Sequence, residues 1–265
     1  MITLLNIENL NFQYPGQSFG LKNISFEVKQ GDFISITGRN GSGKSTLIKC
    51  ITGIFFNYTG KVIFNDEDIK EIDKKSLAQY MSYLSQKGLE DIFDIKVKDF
   101  LLLGRFPFKD KFDFSYSKLD KEIVNDVISK LKLEEYENKI LNKLSGGERQ
   151  KCLIGLSLVQ LNLSRNLKNK ILVIDEPLTH LDIHHQKEIF DILNSLNKEK
   201  NLTIITVIHD LNLALKYTNK TMLLNNGELI KFDKPDLVLT KENIEKYFLT
   251  ETEIVKINNN NYIVL

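Results

Sequence analysis

The chain lacks a net charge of either sign, a long apolar run and more than two cysteines, and each absence removes a class of function. Lysine and arginine together number 36 against 35 aspartates and glutamates, a net charge of +1. No basic field is therefore available to hold phosphate backbones, and no nucleic acid is expected as a partner. Local runs such as Lys109-Asp110-Lys111 mix signs and read as solvated surface. The longest apolar stretches, such as Ile171–Ile174, fall far short of the roughly 20 residues that cross a bilayer. The opening Met1-Ile2-Thr3-Leu4-Leu5-Asn6 has no charged leader or signal-like apolar core, so a cytoplasmic location is expected, with any membrane role supplied by a partner. Cys50 and Cys152 form neither a CxxC pair nor a metal-ligand spacing and read as small buried apolar residues in a reducing compartment. No internal repeat is visible.

What is present is a globular composition, 42% apolar and 27% charged over 265 residues, ample for a buried core. Phe33–Thr37 is a β-rich run stopping at Gly38, and helix-compatible sequence follows from Lys44 to about Thr52. Ile171–Ile174 and Leu202–Ile208 read as buried parallel strands, with Ile189, Ile192, Leu193 and Leu196 at helical spacing between them. This predicts an α/β core. Ile2–Ile7, Ile24–Val28 and Lys61–Phe64 look like strands of an antiparallel β subdomain, mainly residues 1–30 and 58–75. Residues of about 90–155 are mostly helical in pattern, with Leu119, Ile123, Val127 and Leu131 on one predicted face. Asn225-Asn226-Gly227 signals a hairpin. A short extension, residues 241–265, holds an amphipathic helix and then a polar tract, Asn258–Asn261, expected to be a turn or frayed.

Two segments carry phosphate chemistry. Gly38-Arg39-Asn40-Gly41-Ser42-Gly43-Lys44-Ser45-Thr46 fits the phosphate-loop pattern between a strand and a helix. Glycines let backbone N–H groups turn inward, and the helix start adds its positive dipole end. Lys44 then reaches the β- and γ-phosphates, and Ser45 offers a hydroxyl to Mg²⁺. Ile171-Leu172-Val173-Ile174-Asp175-Glu176 delivers carboxylates at the end of a buried strand, where ligands bind in α/β sheets. Asp175 suits Mg²⁺, and Glu176 is placed to orient or deprotonate an attacking water.

A third segment, Leu144-Ser145-Gly146-Gly147-Glu148-Arg149-Gln150, specifies seven positions, a coincidence expected on the order of once per million chains at average residue frequencies. It resembles the signature sequence of the ABC (ATP-binding cassette) ATPases, and the other motifs follow in the order of that family along essentially the whole chain. The resemblance implies a P-loop NTPase (RecA-like) parallel core in residues 1–240, with the antiparallel β subdomain at its N-terminus and the α-helical subdomain inserted. It implies a homodimer in the ATP-bound state, in which Ser145, Gly146, Gly147 and Glu148 close over the nucleotide held by the other subunit's phosphate loop. Tyr14 matches the aromatic residue stacked on adenine. Gln86 matches the glutamine that senses Mg²⁺ and the membrane partner, Asp182 the dimer-interface aspartate, and His209 the switch histidine on the γ-phosphate. Lys44, Gln86, Glu176 and His209 are thus the implied catalytic set, with ATP and Mg²⁺ as ligands.

Leu102-Leu103-Gly104-Arg105-Phe106-Pro107, Thr179–Gln186 and His209–Ala214 resemble the importer branch for iron–siderophore complexes, haem and cobalamin. That branch implies a subunit on the cytoplasmic face of the membrane, working with integral-membrane permease subunits and, indirectly, an extracytoplasmic substrate-binding protein. The alternatives are a non-transport ABC ATPase, such as an iron–sulfur assembly factor, and the ATPase of a separate-subunit exporter. Against the repair and translation branches, no coiled-coil insert is present and each motif occurs once. Departures are Gly155-Leu156-Ser157-Leu158 in place of Ala-Arg-Ala-Leu, Leu178-Thr179 in place of Thr-Ser, and Asn162–Lys170, read as a polar surface insertion. His180, His184 and His185 cluster near Asp182; chelation of a metal is weighed against surface or subunit contact, and contact is preferred.

Overall fold

Leu5, Ile7, Leu10 and Phe12 all point inward from the first strand although their spacing breaks at Ile7–Leu10. A register shift there, with Asn9 in the left-handed region (φ 48°), absorbs the odd residue and restores the alternation. The computed structural model describes residues 2–85, 94–110, 115–163, 166–176, 182–258 and 260–265. Along the chain lie β1 (Thr3–Gln13), β2 (Gly20–Lys29), β3 (Phe33–Thr37), α1 (Lys44–Ile51), β4 (Thr59–Phe64) and β5 (Glu67–Asp68). Then come α2 (Lys74–Ala78), β6 (Met81–Leu84), α3 (Val97–Leu102), α4 (Lys118–Leu131), α5 (Gly146–Leu161), β7 (Ile171–Ile174) and α6 (Ile183–Lys200). The chain finishes with β8 (Thr203–Val207), α7 (Leu211–Tyr217), β9 (Lys220–Asn225), β10 (Glu228–Asp233), α8 (Pro235–Val238), α9 (Lys241–Phe248), β11 (Glu253–Ile257) and β12 (Asn260–Val264). Contacts divide it into two units, residues 1–72 with 203–265, and residues 73–202.

The first unit holds two sheets and a terminal hairpin. An antiparallel sheet runs in the order β2-β1-β4-β5. In the second sheet β3, buried at every position, pairs in parallel with β8 and β9. Phe33, Ile34 and Ile36 supply its apolar packing, and the buried Ser35 hydroxyl is matched by that of Thr221 at 2.7 Å. β9 returns as β10 through Asn226 and Gly227, both at positive φ (49° and 79°), the geometry of a two-residue type I′ turn. Of the polar tract, Asn258 is in a turn after β11 while Asn260 and Asn261 belong to β12, and the two strands pair in full from Glu253–Val264 to Ile257–Asn260.

In the second unit β6 and β7 pair in parallel, and β7 is wholly buried. Ser117 and Asp120 cap α4 reciprocally. The buried face of α4 is Ile123, Val124, Val127, Ile128 and Leu131. Leu119, expected on it, is 49% exposed: four residues before Ile123 on a 3.6-residue turn, it lies past the edge of that stripe. Asn162–Lys170 is not a purely polar insertion: Leu163 and Leu167 are buried and anchor its described part to the core. Among the described residues no helix is long and apolar enough to cross a membrane. Both cysteines are free and buried.

Candidate functional site

In the first unit β3 feeds directly into the glycine loop. Gly38 has φ 143°, and a side chain there would meet the Leu224 carbonyl oxygen at 2.2 Å, so only glycine fits. Gly41 and Gly43 are also at positive φ, and the chain enters α1 at Lys44. Lys44 is only 5% exposed, and its ammonium donates to the carbonyls of Gly38 (2.9 Å) and Arg39 (3.1 Å), lying inside the curl of its own loop. The Ser42 hydroxyl is buried without a hydrogen-bond partner. A buried cation, an orphaned hydroxyl and a helix N-terminus converge here, a donor set that fits a polyphosphate. The turn of the β9–β10 hairpin braces the loop, Gly227 N–H donating to the Ser42 carbonyl at 3.0 Å.

Tyr14 belongs to this cradle. Its hydroxyl lies 3.1 Å from the hydroxyl of Thr46 in the first turn of α1. Its ring meets Phe12 and Phe55 edge-on, at centroid distances of 4.9 and 5.9 Å, while those two stack flat on each other. The ring is half-buried and held from three sides. His209 follows β8 and is exposed, immediately before the Asp210 cap of α7.

In the second unit β7 presents Asp175, 4% exposed. Its N–H donates to the Leu84 carbonyl (2.9 Å), and the Tyr83 hydroxyl is 3.5 Å from its carboxylate. Burial, and then the Asp175 charge, raise the Tyr83 phenol well above its ordinary range. A carboxylate this deep is costly unless it meets a cation or donors, which fits a Mg²⁺ site. Glu176 has φ 55°, a left-handed backbone that costs a non-glycine residue about 1–3 kcal/mol and gathers at functional positions. Gln86 and His180 lie outside the described residues.

The signature segment caps a helix. Ser145 Oγ accepts from the Glu148 N–H (3.3 Å), and Glu148 Oε2 accepts from the Ser145 N–H (2.8 Å), a complete capping box at the start of α5. The Tyr136 hydroxyl, and then the Ser145 backbone N–H, hold the Glu148 carboxyl below its ordinary range. Gly147 is buried against His185; a β-carbon there would come within 2.4 Å of the imidazole. His185 Nδ1 lies 2.8 Å from Asp182 Oδ2, and the His185 N–H donates to Oδ1 at 2.9 Å. His185 thus touches the signature glycine and grips the Asp182 carboxylate, whose pKa these bonds lower, the backbone bond most. Lys151 and Glu188 add an ion pair of 2.7 Å between α5 and α6.

The structure therefore gathers Tyr14, the glycine loop, Ser45 and Thr46 in one unit, and Ser145–Glu148 with Asp182 in the other. The imidazoles of His184 and His185 and the Asp182 carboxylate come within 4.8 Å of one another, but Asp182 and His184 are exposed and His185 already holds the carboxylate twice. Sequence reasoning missed Phe12 and Phe55 around Tyr14, and His185 and Lys151 around the signature. The aromatic pair left a faint trace, apolar residues flanking the loop in a turn-rich context. The α5–α6 contacts left none.

The family model described as ABC transporter matches residues 21–179. An uncharacterized ABC transporter ATP-binding protein of Methanocaldococcus jannaschii is 37% identical over 93% of this chain and 92% of its own length. The petrobactin import ATP-binding protein FpuC of Bacillus anthracis is 33% identical over 93% of this chain and 87% of its own. Among solved structures, an inward-facing ABC transporter provisionally classed as metal-chelate type superposes with a TM-score of 0.83 at 25% identity, covering 99% of this chain and 96% of that one.

Proposed function

This chain belongs to the ABC transporter family and is an ATP-hydrolysing subunit of that cassette type, and we propose that it powers uptake of a metal chelate through a partner permease. The observation that carries the proposal is the likeness, across nearly the whole chain, to a petrobactin import ATP-binding protein. Iron–siderophore, haem and cobalamin are the cargo classes it embraces.

In the mechanism we propose, Tyr14 offers its ring face to adenine, held rigid by Phe12, Phe55 and Thr46. The backbone N–H groups of residues 39–45 wrap the phosphates, and Lys44 turns its ammonium from the loop carbonyls toward the β- and γ-phosphates. Ser45, Gln86 and Asp175 supply oxygens for Mg²⁺, which neutralises phosphate charge when bound. Glu176 accepts a proton from the attacking water, and His209 donates to the γ-phosphate. Ser145, Gly146, Gly147 and Glu148 face the nucleotide of a second copy, with Asp182 at the interface. Two copies close on two nucleotides, and hydrolysis reopens them. The closure energy moves permease helices at the cytoplasmic face of the membrane, and an extracytoplasmic binding protein presents the cargo.

The test is purification of the tagged chain from its own cells in mild detergent, followed by uptake assays in a strain lacking it. A co-purifying polytopic permease and loss of uptake of a ferric siderophore, haem or cobalamin are expected. A soluble scaffold as the only stoichiometric partner, or unchanged uptake of all three, overturns the proposal.

A further inference from the structure

Strand β12 is latched to α7, the helix that begins two residues after His209. Asp210, next to His209, caps α7, its carboxylate accepting the N–H groups of Asn212 (2.8 Å) and Leu213 (3.2 Å). Asn212 then turns its side chain away from the helix onto β12. Its Nδ2 donates to the Ile263 carbonyl at 3.0 Å, and its Oδ1 accepts the Ile263 N–H at 2.8 Å. A carboxamide is the side-chain group that donates and accepts in the same fork as a peptide, so Asn212 pairs with β12 as a neighbouring strand would.

The latch is half-buried and braced. Ile263 is 5% exposed, and the Thr252 hydroxyl donates to the Val264 carbonyl at 2.9 Å, closing the base of the β11–β12 hairpin. A helix of seven residues is too short to hold its own orientation; tertiary contacts must set it. The buried Leu211, Ala214 and Tyr217 seat α7 on the fold, and the Asn212–Ile263 pair clamps its first turn, next to the residue preceding its cap.

We propose that Asn212 is a positioning residue for hydrolysis, and that the C-terminal hairpin fixes His209 through it. The inference rests on the reading of His209 as the group that meets the γ-phosphate. Breaking the clamp lets α7 shift by a fraction of its diameter. Nucleotide binding survives, because Tyr14 and the glycine loop hold the base and phosphates from other elements, while the hydrolytic geometry is lost.

The experiment compares Asn212→Ala, Asn212→Asp, Ile263→Pro and His209→Ala in the full-length chain. Each is measured for binding of trinitrophenyl-ATP and for steady-state ATPase expressed per nucleotide-binding site, so that misfolded protein is not counted. Asn212→Ala removes both bonds, Asn212→Asp keeps only the acceptor, and Ile263→Pro removes the N–H from the other side while leaving α7 intact. Nucleotide affinity and KM within about twofold of wild type are expected, with kcat lowered roughly tenfold for Asn212→Ala and Ile263→Pro and less for Asn212→Asp. A purely structural contact would lower the number of binding sites and leave kcat per site unchanged, and that result overturns the inference. If His209→Ala is inactive while both clamp variants keep wild-type kcat, the inference alone fails. If His209→Ala keeps wild-type kcat, the reading beneath it fails and takes the inference with it.

Discussion

The hydroxyls of Tyr14 and Thr46 lie 3.1 Å apart, joining a residue at the end of the first strand to the first turn of the phosphate-loop helix 32 positions later. The bond fixes the aromatic ring relative to the phosphate cradle before any nucleotide arrives. Such preorganisation lowers the ordering cost of binding.

Tyr14→Phe keeps the packing on Phe12 and Phe55 and loses only that bond, so ATP affinity should fall by about 1 kcal/mol or less, roughly fivefold. Tyr14→Ala also loses base stacking, a further ~1–3 kcal/mol. Inorganic tripolyphosphate should bind both variants as it binds wild type. Calorimetric titration with each ligand checks this, and undiminished ATP affinity in Tyr14→Ala removes adenine stacking from the account.

Glu176→Gln should keep ATP binding and lose turnover by roughly 10²–10⁴-fold, the scale of a general base. Single-turnover hydrolysis measures it directly. Near-normal turnover would mean that another group activates the water.

Gly147→Ala should force the His185 ring off the signature helix, since the added methyl would lie within 2.4 Å of it. Moving the ring strains its 2.8 Å contact with Asp182, so the substitution reaches both motifs. ATPase activity should drop, and His185→Ala in the same chain should recover part of the loss. A double-mutant cycle tests the coupling; strictly additive effects would contradict a shared contact.

Arg105 is the arginine of the importer-like Leu-Leu-Gly-Arg segment, and the structure makes it a packing residue. Its Nε donates to Asp120 at 2.8 Å and its Nη1 to the Val159 carbonyl at 3.1 Å, while its guanidinium lies 3.8 Å from the Phe108 ring centroid. Lys109 holds the other Asp120 oxygen at 2.9 Å. Arg105→Ala should destabilise the fold by less than the ~3–5 kcal/mol of an unpaired buried charge, because Lys109 and Ser117 still hold Asp120. Burial alone would raise the Asp120 carboxyl, but hydrogen bonds from Lys109, Arg105 and Ser117 outweigh it and hold the pKa well below the usual range. A lowered folded-state pKa stabilises the fold above the unfolded value, about 3.9, and that contribution is lost as pH falls toward the folded value. Urea melts should therefore show wild type losing more stability between pH 5 and pH 3 than Asp120→Asn does. Equal losses would place the acid sensitivity elsewhere.

Much of the candidate site was legible because its chemistry is local. The glycine loop before Lys44 and the strand leading into Asp175 each occupy a few consecutive residues whose types dictate the backbone. The helical face of α4 was misjudged at Leu119 because a four-residue step drifts around a 3.6-residue helix. The buried leucines of the 162–170 segment were overlooked because its composition is polar and burial is set by what packs above it.

From the amino-acid sequence alone came the family, through the likeness of short contiguous motifs, and the order of those motifs along the chain. Only the tertiary structure decided which partners hold each motif: Thr46 for Tyr14, His185 for Gly147, Asp120 for Arg105, Ile263 for Asn212. Pairs far apart in sequence leave no local pattern. They exist because folding closes the loops between them and buries polar groups that must then find one another.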